Sequence, residues 1–326
     1  MKIGAWVHMY PPYHNAGAEH MLHAMLSDLV KRGHEAVVVI DQGRGHKQLG
    51  IKPYVHDGVC VSEDKRTLKD IDVLLTHLDR TPDAEKWCEK TGVPLVQIFH
   101  NHERPTTVNH CDLGVYNTHH LLLHTPMTDE HAETPTVVIR PPVWAKHYTV
   151  ERTNEGQGEA ITLINLTKPK GVEMFYTLAR MFPKLPFLGV KGSYGEQIVR
   201  QLPNVTIVEN QKDIREVYRH TKILLMPSSY ESYGRCAVEA SCSGIPVIAN
   251  PTKGLREALS AIDERGLFPL PDSDSWGCAI KYTLETYPAR VRDALWVAKN
   301  LDPDGDMDEF ELSLLRLIHG ALKKYA

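Results

Sequence analysis

Two carboxylates, Glu231 and Glu239, lie in the segment MPSSYESYGRCAVE at residues 226–239. An apolar run ends at Met226, a polar loop carries Glu231, and the spacing predicts a helix that begins near Gly234 and contains Glu239. Ionised carboxylates only accept hydrogen bonds, which suits the hydroxyls of a sugar or a ribose. The backbone N–H groups of Tyr233, Gly234 and Arg235 stand at the helix start, where unpaired donors and the helix dipole favour an anion such as phosphate. The same pair also fits a plainer use, with Glu231 as a charge favoured at a helix start and Glu239 as a solvated helix residue. Near the N-terminus, HNAGAE at residues 14–19 places Gly17 where a strand turns into a helix. Such a turn admits an anion to the helix N-terminus, or serves only as a tight connection. It is not G-x-G-x-x-G, so the dinucleotide fingerprint is absent.

Histidine is unevenly spread: 16 of the 18 precede residue 151. His100, His102, His119, His120 and His124 are the clustered ones, and His120 and His124 share a helix face by their i, i+4 spacing. His100 follows the apolar run 94–99 and so stands at the carboxyl end of a strand, the position from which ligands are contacted in α/β folds. His119 and His120 are secondary candidates. No H-E-x-x-H motif or Cys/His array is present, and no metal site is expected. The six cysteines, Cys60, Cys88, Cys111, Cys236, Cys242 and Cys278, form no C-x-x-C pair and read as free thiols in a reducing compartment.

These residues need elements to hold them. Short apolar runs alternate with helical patterns along all 326 residues. Strands are expected at 2–7, 36–40, 71–76, 94–99, 113–116 and 136–139, with a helix at 18–32 closed by Gly33. The polar stretch 148–159 reads as a linker. The alternation then restarts, with strands at 160–166, 187–190, 205–208, 223–226 and 246–249. Helices are expected at 171–182, 196–201, 213–220, 234–242, 275–286, 289–299 and 307–325. Strands apolar on both faces and separated by helices indicate parallel sheets covered on both sides. The expected organisation is two α/β domains, 1–150 and 151–326, with ligands in the cleft at the carboxyl ends of the strands. The last helix is a candidate to return to the first domain.

Composition limits the partners. Hydrophobic residues make up 42% and charged residues 24%, an ordinary globular balance, and the formal net charge is −4. The first 150 residues carry 15 Lys and Arg against 18 Asp and Glu, which argues against a nucleic-acid surface. No apolar run is long enough to span a bilayer and no secretory leader is read, so a soluble cytoplasmic protein is expected. Peripheral membrane association stays open.

The segment around Glu231 and Glu239 resembles the E-x7-E signature of retaining glycosyltransferase family 4, whose fold is GT-B. ASCSGIPVIA at 240–249 is similar to that family's continuation, and KGLRE at 253–257 to its next donor loop. Gly17-Ala18-Glu19 resembles the end of its N-terminal motif, Arg32-Gly33-His34-Glu35 its usual turn, and Lys170-Gly171 its helix start. The resemblance implies two Rossmann-like domains facing across a cleft, the first binding acceptor and the second a nucleotide-sugar. It implies transfer of a sugar from a UDP- or GDP-linked donor to an acceptor hydroxyl with retained configuration, without a metal or other cofactor.

By the same resemblance Glu239 contacts the ribose and Glu231 the donor sugar. The backbone of Tyr233, Gly234 and Arg235 cradles the sugar and distal phosphate, Gly17 faces the diphosphate, Lys170 neutralises it, and His100 lies by the transferred sugar. Asn165 stands where the family usually has arginine, so one cation of the diphosphate site is missing; Lys168 and Arg235 are candidate replacements. The acceptor stays open among a saccharide, a lipid-linked sugar, a protein side chain, a small metabolite and, as an unusual option, a hydroxylated DNA base. Two rival readings share the architecture: a nucleotide-sugar-binding protein without turnover, and a sugar-nucleotide epimerase.

Overall fold

The computed structural model describes residues 1–43, 49–101, 110–125, 133–151, 158–259 and 272–325, with side chains described through residue 320. The chain forms two compact units, residues 1–142 with 302–326, and residues 143–301.

The first unit is built on β1 (Lys2–Val7), α1 (Gly17–Lys31), β2 (Glu35–Ile40), β3 (Tyr54–His56), β4 (Val59–Ser62), β5 (Val73–His77), α2 (Thr81–Thr91), β6 (Leu95–Phe99), β7 (Leu113–Tyr116), α3 (His119–His124) and β8 (Thr136–Val138). Its sheet runs β3-β4-β2-β1-β5-β6-β7-β8. The central strand β1 is apolar on both faces, and Ile3, Ala5 and Val7 have no exposed surface. It pairs in parallel with β2 and β5, as expected for a strand covered on both sides. Met21, Leu22, Met25, Leu26 and Leu29 of α1 are buried, the stripe that the helical spacing predicts. Gly33 follows with φ +93°, the left-handed conformation that ends a helix.

Two departures from the simple alternation matter. β3 and β4 form an antiparallel hairpin at the sheet edge. Its two-residue turn is Asp57-Gly58, with φ of 47° and 82°, the paired left-handed residues that match strand twist. The chain also forms α2, with Pro82 in its first turn and Gly92 at φ 73° ending it. Neither was expected from periodicity.

The second unit holds α4 (Ala145–Tyr148), β9 (Ala160–Ile164), α5 (Val172–Met181), β10 (Phe187–Val190), β11 (Val205–Val208), α6 (Arg215–His220), β12 (Thr221–Met226), α7 (Arg235–Ser241), β13 (Val247–Ala249), α8 (Lys253–Ala258), α9 (Ser273–Glu285) and α10 (Tyr287–Lys299). Its sheet, β11-β10-β9-β12-β13, is parallel throughout. Phe175, Tyr176, Phe187, Trp276 and Ile280 fill one side of it, all at most 1% exposed.

The helix expected at 196–201 is absent. The Ile198 N–H donates to the Leu166 carbonyl at 2.8 Å and the Arg200 N–H to the Tyr176 hydroxyl at 2.8 Å, so this backbone is satisfied by neighbours instead of by its own preceding turn. The stretch expected to begin a linker is partly ordered into the second unit. The Val150 N–H donates to Ser243 Oγ at 3.0 Å, and Ser243 Oγ donates to the Tyr148 carbonyl at 2.7 Å. Residues 152–157 of that stretch lie outside the described residues.

Helix α11 (Pro303–Tyr325) belongs to the first unit. Arg32 Nη1 meets Asp308 at 2.6 Å and Glu311 at 3.0 Å, and His34 Nε2 meets the other Glu311 oxygen at 2.8 Å. No helix among the described residues is long and apolar enough to cross a membrane.

The first turn of α11 also carries a disfavoured charge. Asp306 lies 3.4 Å from Arg140 Nε. Burial nevertheless lifts its carboxyl from an ordinary 3.8 to about 6, with Arg140 opposing the shift and Asp302 adding to it. Between those two values the folded chain holds a proton that the unfolded chain has released, so this group lowers stability as pH rises through the window. Asp306→Asn should therefore be more stable than the parent at pH 7.5, by up to about 3 kcal/mol, since one pKa unit is worth about 1.4. The gap should close below about pH 4, and urea unfolding at both pH values checks it. A variant less stable than the parent at pH 7.5 would mean that pairing with Arg140 outweighs burial.

Candidate functional site

In the second unit the loops following β9 and β12 meet. After β9 the chain makes a 3-10 turn, Lys168–Lys170, and reverses at Gly171, whose φ is +83°. A β-carbon at Gly171 would run into Pro227, the first residue beyond β12, so glycine here permits the close approach. The Ser229 N–H donates to the Pro169 carbonyl at 2.9 Å and ties the two loops together. Across this junction Lys170 Nζ donates to Glu231 Oε1 at 2.6 Å. Ser228 Oγ donates to the same oxygen at 2.7 Å. Burial disfavours the Lys170 charge, but the facing Glu231 carboxylate outweighs it and holds the ammonium above its ordinary value. The loop is backed from behind by α8. A β-carbon on Gly254 would strike the backbone of Glu231 and Ser232, so glycine is needed there too.

One turn further along lies a second ion pair. α7 starts after Gly234, which is left-handed at φ 95° and leaves the helix without a side-chain cap. Arg235 Nε donates to Glu239 Oε1 at 2.5 Å, an i, i+4 pair. Arg235 Nη2 donates to the Tyr148 hydroxyl at 2.5 Å. The Tyr218 hydroxyl donates to Glu239 Oε2 at 3.0 Å. Glu239 is 6% exposed, so both of its oxygens are engaged inside the fold. Burial opposes the Arg235 charge, yet Tyr148 and Glu239 raise its pKa further above the ordinary value. The third guanidinium nitrogen, Arg235 Nη1, is buried and has no hydrogen-bond partner among the described residues. Cys236, between the two, has its thiol pushed up to about 12 by burial, so it stays protonated.

Asn165 follows β9 with φ +71°, a left-handed position that asparagine tolerates better than most residues. Its Oδ1 accepts from Gln197 Nε2 at 2.9 Å, and its amide fills the space that a β-carbon on Gly192 would need. Gln197 Oε1 accepts in turn from the Leu166 N–H at 3.0 Å and the Gly192 N–H at 2.8 Å. Asn165 thus builds the turn that precedes Lys170.

The first unit gathers a different set. His8 follows β1, His77 ends β5 and His100 follows β6, at neighbouring strand ends. His77 Nδ1 and His100 Nε2 lie 2.9 Å apart and share one proton. Burial pushes the His100 ring down to about 3. It pushes His77 well below its ordinary value, with His100 adding to the effect. Both rings are therefore neutral near pH 7. Glu19, in the first turn of α1 and 2% exposed, has Oε1 at 3.4 Å from His8 Nε2 and 3.2 Å from His14 Nδ1. Its Oε2 is buried without a partner among the described residues, as is His77 Nε2. Gly17, at the start of α1, has open space where a β-carbon would sit.

The structure thus brings together Lys170, Glu231 and the start of α7, with Arg235 and Glu239 just behind. Gly17 and His100 lie in the first unit. His119 and His120 open α3, capped by Thr118, and the His120 ring sits 4.1 Å from that of His124. His102 lies outside the described residues. Three participants were missed in the sequence. Tyr148 was assigned to a linker. Tyr218 carries no motif. His77 lies one residue beyond the strand expected at 71–76 and closes β5, much as His100 follows β6.

Residues 149–293 match the family model described as Glycosyl transferases group 1. Glycogen synthase of Aquifex aeolicus is 28% identical over 163 residues, 45% of this chain and 35% of that protein. A D-inositol 3-phosphate glycosyltransferase of Mycobacterium sp. is 34% identical over 86 residues, 26% of this chain and 20% of the relative. The matches to these curated relatives span about a third of their length or less. Among solved structures, sucrose-phosphate synthase from Thermosynechococcus elongatus superposes with a TM-score of 0.79 at 14% identity, covering 98% of this chain and 100% of the other. Anabaena HepE, solved with UDP and glucose, has a TM-score of 0.73 at 15% identity, covering 97% and 100%. The chain therefore has the α/β GT-B fold, and Lys170, Glu231 and Glu239 all lie within the residues that match the model described as Glycosyl transferases group 1.

Proposed function

We propose that this chain transfers a sugar from a UDP- or GDP-linked donor to an acceptor hydroxyl, retains the anomeric configuration and needs no metal to do so. The carrying observation is the Lys170–Glu231 pair at 2.6 Å, where the β9 and β12 loops meet within the domain that matches the family. A cation held charged is what a departing nucleoside diphosphate needs, because negative charge develops on its phosphate as the glycosidic bond breaks. In this reading Glu231 orients the donor sugar through its hydroxyls and is not a nucleophile. The new bond forms between the acceptor oxygen and the anomeric carbon. The carbon–oxygen bond to phosphate breaks, and the acceptor proton passes to the departing diphosphate.

Glu239 fits the ribose through its remaining lone pairs, since each carboxylate oxygen can accept two hydrogen bonds. The buried, unpartnered Arg235 Nη1 supports a further contact to an oxygen of the donor. The backbone of Tyr233–Arg235 supplies donors at the start of α7. We assign Gly17 to the diphosphate and His100 to the transferred sugar or the acceptor, the first unit's share of the reaction. A ring pushed down to about 3 acts there as a neutral hydrogen-bonding group and not as a general acid. The nucleotide in the Anabaena structure is consistent with the donor class. A saccharide, a lipid-linked sugar, a protein side chain or a small metabolite could each supply the hydroxyl, and a hydroxylated DNA base remains the unusual option. One observation favours a rival, nucleotide-sugar binding without turnover: Asn165 occupies the position of the family's arginine and is committed to Gln197.

A melting-curve panel of UDP, GDP, ADP and their sugar conjugates, each with Mg2+ or with EDTA, tests the donor. A ligand at 100 times its dissociation constant stabilises by about 2.7 kcal/mol, and one base should do so with or without the metal. No shift with any nucleotide would count against the donor site. Glu239→Gln should weaken nucleotide binding roughly 10- to 100-fold, the effect of losing a charged acceptor worth about 1.5–3 kcal/mol. Glu231→Gln should lower kcat more than nucleotide affinity. Transfer by both variants at the parent rate would refute the assignment, and turnover by the parent separates a transferase from a binding protein.

A further inference from the structure

A third group of polar side chains lies apart from both sets described above, between α1 and the hairpin turn at the edge of the first sheet. His23 projects from α1, His56 ends β3, and Asp57 begins the turn. His23 Nε2 and Asp57 Oδ2 are 3.0 Å apart. One donor atom from each of the three residues lies within 4.8 Å of the others. We propose that these residues bind a borderline divalent metal ion of the zinc class, and that the ion clamps the β3–β4 hairpin onto α1.

The donor chemistry selects the ion. Two imidazoles and one carboxylate suit zinc and its neighbours, whereas magnesium and calcium want oxygen ligands. Tetrahedral bonds of about 2.0–2.2 Å separate two ligand atoms by about 3.3 Å, close to the His23–Asp57 spacing. The surroundings are also of the right kind. A metal-bound imidazole usually hands its other N–H to a fixed acceptor. His23 Nδ1 lies 2.9 Å from the hydroxyl of Tyr10, a residue with no exposed surface. Asp57 is held in a left-handed conformation at φ 47°, and a β-carbon on the next residue, Gly58, would meet Val30 of α1, so the turn backbone sits close against that helix. His56 stacks on His23 with ring centres 4.2 Å apart and planes 9° apart. A ring lone pair lies in the ring plane, so coordination turns His56 out of this stack. Asp57 is 64% exposed, which leaves the approach open and gives water the remaining coordination positions.

The experiment uses the full chain without an affinity tag, stripped with EDTA and titrated with Zn2+ against a chromophoric chelator. One ion per chain is expected, with a rise in melting temperature. His56→Ala and Asp57→Asn should each weaken it at least tenfold and abolish the rise; asparagine also tolerates the left-handed turn, so that variant keeps the hairpin. A separate neighbouring pair of histidines, on α3, is the control: His120→Ala/His124→Ala should bind as the parent does. Co2+ substituted at the site should give the visible absorption of a tetrahedral ion and lose it in His56→Ala. The proposal fails if the parent takes up no Zn2+ at 100 times the protein concentration. It fails equally if the His56 and Asp57 variants bind as the parent, or if binding is lost only in the α3 variant. Each readout is independent of sugar transfer.

Discussion

The Lys170–Glu231 ion pair is the contact on which the second unit's site depends. Two charges in a mostly buried position are costly unless each satisfies the other. Their 2.6 Å contact can form only if the loop after β9 touches the loop after β12. Glycine at 171 and at 254 removes the two β-carbons that would hold the backbones apart. The Ser229–Pro169 hydrogen bond then fixes the junction without spending a side chain. The start of α7 follows Glu231 by a few residues, so its position is set by the same contact. The i, i+4 pair of Arg235 and Glu239 carries the constraint one turn inward, to Tyr218 and Tyr148. Under the proposed function, the groups that meet the donor are thus supported from behind by Tyr218 and Tyr148, which is how a site keeps its geometry.

The first unit solves a different electrostatic problem. Its strand ends carry imidazoles, and burial keeps His77 and His100 neutral instead of pairing them with carboxylates. A neutral imidazole offers one donor and one acceptor and attracts no counter-ion. Under the proposed function that suits a partner presenting hydroxyls, while the charged work falls to Lys170 and Arg235 in the second unit. Glu19 is the exception, a buried carboxylate flanked by His8 and His14. Burial alone would lift its pKa, but the facing imidazoles, His14 foremost, bring it below the ordinary value, so it is charged.

How much of this could be read from residues alone follows from how local each signal is. The spacing of Glu231 and Glu239 and the stripe of α1 are written within single segments, and both stand where local patterning puts them. The β3–β4 hairpin was missed because strands of three and four residues carry no usable period, although Asp57-Gly58 is itself a hairpin signal. The absent helix at 196–201 failed for the opposite reason. Its local pattern is helical, but Leu166 and Tyr176, from distant segments, take its backbone hydrogen bonds. Tyr148 and His77 join their sites only through contacts across tens of residues, which no local motif encodes.

Asn165 shows how one residue sets the charge of a turn beside the Lys170–Glu231 pair. The position requires φ +71°, a conformation in which a long side chain such as arginine is disfavoured. Asparagine accepts it and turns its amide toward Gln197, in the space left by the absent side chain of Gly192. This arrangement closes the turn before Lys170 with neutral hydrogen bonds, and Asn165 itself brings no cation. Positive charge near the Glu231 loop must then come from elsewhere in the same unit. Lys170 supplies part of it, held charged by Glu231. Arg235 is already bound to Glu239 and Tyr148, yet keeps one buried nitrogen without a partner. A buried donor left unmade costs on the order of 1–3 kcal/mol, and a ligand oxygen that meets it recovers that cost on binding. Under the proposed function, a donor that calls for a second cation finds one on α7, where Arg235 holds that unspent nitrogen.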